Sequence, residues 1–346
     1  MPPFDRVSRP QDSAAAAVAP TAGASTDPQP GRRSVLPTLA ATAVCVMTLV
    51  LAACGSDDTA DTAASDASTG CATDSTSGRD GVEPIPIAPA KITVTAPGAE
   101  PRKVPAATPA RDTPQRTTLS VTSSAVSRTA TDGVDDRSQT VSIPMTARFG
   151  CQDPTDLELA LDRPTSPDPT LDEQLAKSEG GRAGMAVGPG TVPISLRLLP
   201  TKASGSEARH AIEQSLVQAL QVSVGLPTQP VGVGAVWKSE RSISGAVTVT
   251  QTMTVTLKSW AGDRVVLGVT FDESPVNSVF AVPGTSETVT LRRYSNEGTG
   301  TVTLDLDRGL PTDATITLSG ARELVGSDES APIVQQTGAT VNWRAR

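Results

Sequence analysis

The chain has 346 residues, room for one or two domains, yet only 37% are hydrophobic and 2% aromatic, and it carries 29 prolines and 28 glycines. That composition supports one modest packed core beside a long stretch that cannot build one. A net charge of −8, with four Phe, three Trp and one Tyr available to stack on bases, argues against nucleic-acid binding.

Residues 1–33 are polar and end in Gly31-Arg32-Arg33, and an apolar run from Val35 to Val50 leads into Leu51-Ala52-Ala53-Cys54-Gly55. A basic segment, an apolar segment and small residues before a cut form an export signal. The positions Leu51 to Cys54 resemble the lipobox of bacterial lipoproteins. The resemblance implies that Cys54 receives a diacylglycerol and that a peptidase removes residues 1–53. The mature chain would then be held in the lipid bilayer through acylated Cys54, on the extracytoplasmic face of the cell membrane. Two acyl chains suffice for stable anchoring where one is marginal. The competing reading is an uncleaved membrane helix, because the run from Val35 to Ala53 has 19 residues, close to the ~20 a span needs. Pro37, Thr38, Thr42 and Thr48 interrupt it. Arg32-Arg33-Ser34-Val35-Leu36 resembles a twin-arginine export signal without its usual flanking residues. The export route and a start downstream of Met1 both stay open.

Residues 54–112 read as a tether. Asp57, Asp58, Asp61 and Asp66 crowd its start, and Pro84, Pro86, Pro89, Pro97, Pro101, Pro105 and Pro109 follow. Such a segment buries too little apolar surface to offset its ordering entropy, so disorder is expected. About 55 residues of this kind reach roughly 40 Å. Cys45 leaves with the signal. Outside the cytoplasm the remaining pair, Cys71 and Cys151, tends to oxidise. The bridge would close a loop of about 80 residues, a stabilisation of roughly 4 kcal/mol in the chain-entropy model. The alternative is two free thiols. No Cys-x-x-Cys or His/Cys cluster supports a metal site.

From residue 113 to the end the pattern is that of a folded domain. Leu119 and Val121 alternate, as do Val141, Ile143, Met145, Ala147 and Phe149, with Pro144 demoting that strand toward an edge. A short helix is expected from Leu171 to Ser178. Ile194, Leu196 and Leu198 share a strand face. Ser204-Gly205-Ser206-Glu207 reads as a capping box, opening a helix whose Ala208, Ile212, Leu216, Ala219 and Leu220 form an apolar stripe, with Glu213, Gln214, Gln218 and Gln221 opposite. Leu226-Pro227 ends it. Val247, Val249, Met253, Val255 and Leu257, then the turn Ala261-Gly262-Asp263-Arg264, then Val265, Leu267, Val269 and Phe271, make a β-hairpin. Val289 and Leu291; Val302, Leu304 and Leu306; Ala314, Ile316 and Leu318; and Ala339, Val341 and Trp343 follow. The fold class is mainly β, a β-rich α+β domain. About nine antiparallel strands are expected in a curved, half-barrel-like sheet on one amphipathic helix.

The stretch Pro227-Thr228-Gln229-Pro230-Val231-Gly232-Val233-Gly234-Ala235-Val236-Trp237 resembles the core of an uncharacterised domain family of secreted bacterial proteins, many of them actinobacterial lipoproteins. The 23 arginines against six lysines suit a high-GC genome. The resemblance spans about residues 115–345 and implies an extracytoplasmic location rather than a chemistry. A looser similarity, in architecture alone, is to half-barrel lipoproteins that carry lipids, and architecture does not establish function.

No nucleophile elbow or phosphate loop is present, and no cofactor motif. The single histidine, His210, could pair with Glu213 one turn on, but a solvated helix residue is the plainer reading. Asp305 and Asp307 share a strand face beside Arg308 and could hold calcium or a partner's lysine, but a solvated strand face is the plainer reading. Asp132-Gly133-Val134-Asp135-Asp136 lacks calcium-loop spacing and reads as a hairpin turn. Val231 to Gly234 lets the backbone bend or approach closely before Trp237. Trp237, Trp260, Trp343, Met253 and Phe271 either anchor the core or line an apolar pocket. Three functional classes remain. The expected one is a non-catalytic interaction or structural module that meets an envelope protein. The alternative is a carrier of an apolar or lipidic molecule, and the remote one a hydrolase.

Overall fold

The computed structural model describes residues 70–129, 133–244, 247–281, 288–326 and 331–346. The export signal, the lipobox and Cys54 lie outside the described residues, as does Asp132.

Alternation builds the fold. Successive strand residues point to opposite faces, so Val249, Gln251, Met253, Val255 and Leu257 are buried while the threonines between them are half-buried or exposed. Among the described residues fourteen strands arise in this way. In chain order β1 (Ile85–Pro86) and β2 (Lys91–Ala96) precede a long hairpin of β3 (Gln115–Thr129) and β4 (Gly133–Phe149). Then come β5 (Asp156–Leu161), helix α1 (Pro169–Ala176), β6 (Arg182–Val187), β7 (Pro193–Leu199) and helix α2 (Ser206–Gln221). The chain ends with β8 (Val236–Ile243), β9 (Val249–Ala261), β10 (Arg264–Pro275), β11 (Val279–Ala281), β12 (Thr288–Asp305), β13 (Asp313–Val325) and β14 (Ile333–Ala345).

All belong to one open antiparallel sheet that does not close into a barrel. Its spatial order is β1-β7-β6-β5-β4-β3-β14-β13-β12-β10-β9-β8-β2, with β11 added to β12. The last strand sits in the middle: β14 pairs with β3 in a register that sets Trp343 opposite Leu119. The sheet's inner face and the helices share one hydrophobic core. Helix α2 packs on α1 and on β3, β4 and β7, burying Ala208, Ala211, Ile212, Ser215, Leu216, Ala219 and Leu220. Each fully buried Leu or Val of this kind contributes about 1.5–3 kcal/mol over an exposed one.

Four expectations are corrected. The expected tether 54–112 does not extend to residue 112: residues 70–112 are built into the domain, with Ile87 3% exposed and β2 paired along β8. Hydrogen bonding to β8 supplies what the segment's own composition lacks. The strand count rises from nine to fourteen. The two short runs around Val289 and Val302 merge into β12, while β1, β2, β5, β6, β8 and β11 are additional. Pro144 does not mark an edge, because β4 lies between β3 and β5. The β4–β5 ladder begins one residue later, at Met145. The carbonyl of Pro144 still accepts from Asp162 N–H, so the missing N–H costs no ladder bond. Finally, no capping box forms. Gly205 is the N-cap of α2 and makes no side-chain bond. The Ser204 hydroxyl is 2.9 Å from that of Thr201, inside the turn that precedes the helix.

Candidate functional site

The first residues described are strapped over β5, β6 and β7, on the sheet face opposite Leu157, Leu159 and Leu161. Glu158, Gly184 and Arg197 stand side by side on those strands. Glu158 is 4% exposed and Arg197 6%. An Arg197 Nη lies 3.4 Å from Glu158 and a second partner is Asp156. The strap adds donors: the Thr76 N–H and hydroxyl reach Glu158 at 2.7 and 2.9 Å, and the Ser75 hydroxyl at 3.0 Å. Arg182 closes the network on Glu158 at 3.1 Å and on Asp74 at 2.5 Å. Only glycine fits at 184, since a Cβ there would collide with the Thr76 hydroxyl and the Arg197 guanidinium. Beside this network Cys71 and Cys151 form a disulfide across a sequence separation of 80. The arrangement is structural, a buried network with its hydrogen-bonding groups matched.

Residues 97–103 form a second strap. Gly232 N–H donates to Pro97, Ala99 N–H to Val233, and Lys103 and Val231 bond each other through both backbone groups. A Cβ on Gly232 would run into the Ala99 carbonyl, which gives the glycine pair its physical role. Lys103 then carries its ammonium 4.3 Å from the Trp260 ring centre, a cation–π contact.

The inner face changes character along its strands. Near α1 it is apolar. Past the C-terminal end of α2 it becomes polar, and a groove opens between the helix and the sheet. Two adjoining hollows of ≈ 350 and ≈ 380 Å³ share Ser123, Gln218 and Gln221. At the far wall Glu273 accepts three hydrogen bonds, from the amides of Gln251 at 2.9 Å and Asn296 at 2.7 Å and from the Tyr294 hydroxyl at 2.7 Å. Burial, then the bond to Glu273, pushes the Tyr294 phenol above its ordinary value of 10.0. Arg241 is buried under the end of α2, donating to the carbonyls of Leu220 at 3.2 Å and Ser223 at 3.1 Å. Desolvation lowers its pKa to about 10, still charged at neutral pH.

The five residues expected as core or pocket anchors separate. Trp237, Met253 and Phe271 are core at 1%, 1% and 4% exposure, and the Trp237 indole donates to the Gly225 carbonyl at 3.0 Å. Trp343 is also buried and borders a hollow of ≈ 50 Å³. Trp260 stands at the rim, half-buried, its indole donating to Gly262 at 3.1 Å. His210 is exposed on α2. Asp305 and Asp307 do not share a strand face, because β12 ends at Asp305 and Asp307 lies in the turn that follows, 3.6 Å from Arg308. Asp135 and Asp136 open β4, across the hairpin from β3. Among the described residues no three His, Cys, Asp or Glu side chains converge as metal ligands would. No helix among them is long and apolar enough to cross a membrane.

A half-open apolar groove of ≈ 530 Å³ lies at one end of the sheet, where Val104, Pro105, Phe149, Leu157, Val187 and Pro189 meet. Neither groove was read in the sequence, since each is assembled from segments far apart in the chain. Comparison with protein-family models and with curated proteins finds no match to this chain.

Proposed function

We propose that this is an extracytoplasmic lipoprotein, anchored through Cys54, whose folded unit is a non-catalytic binding module of the cell envelope. One observation carries the choice of module over carrier: the apolar core between the helices and the sheet is packed, and the hollows flanking α2 are open to solvent rather than enclosed. Leu119, Ile143, Leu216, Trp237 and Leu267 are each at most 2% exposed, and the hollow beside Trp343 holds only ≈ 50 Å³. An enclosed ligand cavity runs to about 300–1,000 Å³. What the fold leaves open is surface: grooves at its rim and past the end of the helix.

The strap over Glu158 also bears on placement. A lipid on Cys54 would lie 16 residues before Gly70, the first residue described. At most about 3.3–3.6 Å per residue, that is a span of no more than about 60 Å, against about 200 Å for residues 54–112 at the same extension. The module would work close to the bilayer rather than at the end of a long tether.

The test is native mass spectrometry of the protein purified gently from its own envelope, followed by solvent extraction. A mass without extractable ligand supports the module. A stoichiometric hydrophobic ligand overturns it in favour of the carrier. That second reading has one observation of its own, the ≈ 530 Å³ apolar groove by Phe149 and Val187, and substitutions there would then decide it.

A further inference from the structure

We infer that the groove past the end of α2 is a binding site for a neutral polyhydroxylated ligand, a saccharide. The inference rests on the binding-module reading and names the ligand class of one surface. Three features of the lining carry it.

The first is its chemistry. Gln214, Gln218 and Gln221 come from one side of α2, at spacings of four and three residues that align them along the helix. Gln139, Gln251 and Asn296 come from the sheet opposite. A carboxamide offers an acceptor and two donors on one rigid plane, the complement of adjacent hydroxyls, each of which both donates and accepts.

The second is charge. Among the described residues lining the two hollows no Lys or Arg appears, and Glu273 is the one ionisable group. A phosphate or a uronic acid would face that carboxylate, while Arg241, the register neighbour of Gln251, is turned to the carbonyls of Leu220 and Ser223. Glu273 is itself held by three neutral donors, which fixes its position as an acceptor in the wall. Val249, Leu318 and Ala339 add an apolar strip beside these groups, as the C–H face of a pyranose requires.

The third is an unmet hydrogen bond. Gln251 is 2% exposed, its amide nitrogen is committed to Glu273, and its carbonyl oxygen accepts no bond from the described residues. A buried acceptor left without a partner costs about 1–3 kcal/mol; this oxygen is closed off from solvent, so a ligand hydroxyl would meet it once the carboxamide turns toward the groove that Gln251 lines. A peptide is the lesser fit. Strand addition needs a free sheet edge, whereas β3, β13 and β14 are paired on both sides, and β10 and β12 are paired with each other as far as Asp272 and Glu297.

The experiment applies the full chain, in a detergent without sugar groups, to an array of neutral oligosaccharides, acidic oligosaccharides and a random peptide pool. Neutral oligosaccharides should be retained. Titration of the best binder against Gln251→Leu and Gln218→Ala should show affinity at least tenfold weaker for each. Gln218→Ala, on the helix surface, should leave the melting temperature unchanged, which separates lost binding from lost folding. No retained neutral saccharide, a preference for acidic saccharides or for peptides, or unchanged affinity in both variants would each overturn the inference. Failure here with a ligand-free native mass leaves the module reading intact. A bound lipid in the native mass contradicts that reading whatever the array shows.

Discussion

Glu158 and Arg197 sit two strands apart with Gly184 between them, and their side chains meet over its bare Cα at 3.4 Å. Breaking a buried pair by removing one partner leaves a charge without compensation, typically about 3–5 kcal/mol. Arg182 and the Thr76 donors remain in Arg197→Met, so a loss of roughly 3 kcal/mol is expected, read from the denaturant midpoint. Gly184→Ala should destabilise by about 1–3 kcal/mol through overpacking and should release the strap, seen as faster hydrogen exchange at residues 72–77. Glu158→Gln combined with Arg197→Met should recover part of the loss.

The Cys71–Cys151 bridge ties the same strap to the sheet a second time. Its reduction, or Cys71→Ser with Cys151→Ser, should lower stability by roughly 4 kcal/mol if the chain-entropy model holds. Because the Glu158 network holds the strap independently, the fold should survive reduction. Circular dichroism with and without reductant checks both statements.

Tyr294 is the single tyrosine, so its ionisation can be read directly from ultraviolet absorbance. Burial and the bond to Glu273 raise its pKa above 10.0. The stability this contributes is fully present below pH 10, the unfolded value, and is lost as the pH climbs through the higher folded value. The native protein should therefore show phenolate only well above pH 10. Glu273→Gln should move the onset down toward 10.

Arg241 reinforces the C-terminal cap of α2, whose C-cap is Val222, by holding the carbonyls of Leu220 and Ser223. Hydrogen bonds to a charged group contribute about 1.5–3 kcal/mol each. Arg241→Met keeps much of the packing and should cost at least that much, with exchange rising first at residues 219–224. Arg241→Lys should not restore it, since one ammonium replaces a forked donor.

The hairpin of β9 and β10 was legible because its signals are local: strict alternation on both arms around a four-residue turn. Helix α2 was legible from its stripe, although the cap was misplaced. The Ser204 hydroxyl is used by Thr201, a contact that spacing alone does not reveal. β2 was hidden for a different reason. Lys91-Ile92-Thr93-Val94-Thr95-Ala96 alternates as a strand should, but it sits between Pro89 and Pro97 in a segment whose composition favours disorder, and its order comes from β8 far along the chain. The same distance hid both sites. Glu273 gathers Gln251, Tyr294 and Asn296 from neighbouring strands, and Glu158 gathers Thr76, Arg182 and Arg197 from separate elements. No short motif records either set. The disulfide, by contrast, was readable from arithmetic, because only two cysteines follow Cys54 in the sequence.

The proposed anchor at Cys54 is tested most directly by growing the source organism with a clickable fatty acid and comparing the wild-type chain with Cys54→Ala after membrane fractionation. The wild type should carry label and attach to the membrane, and the variant should show neither label nor processing before residue 54. Label or lipid-dependent attachment persisting in Cys54→Ala would contradict the proposed anchor.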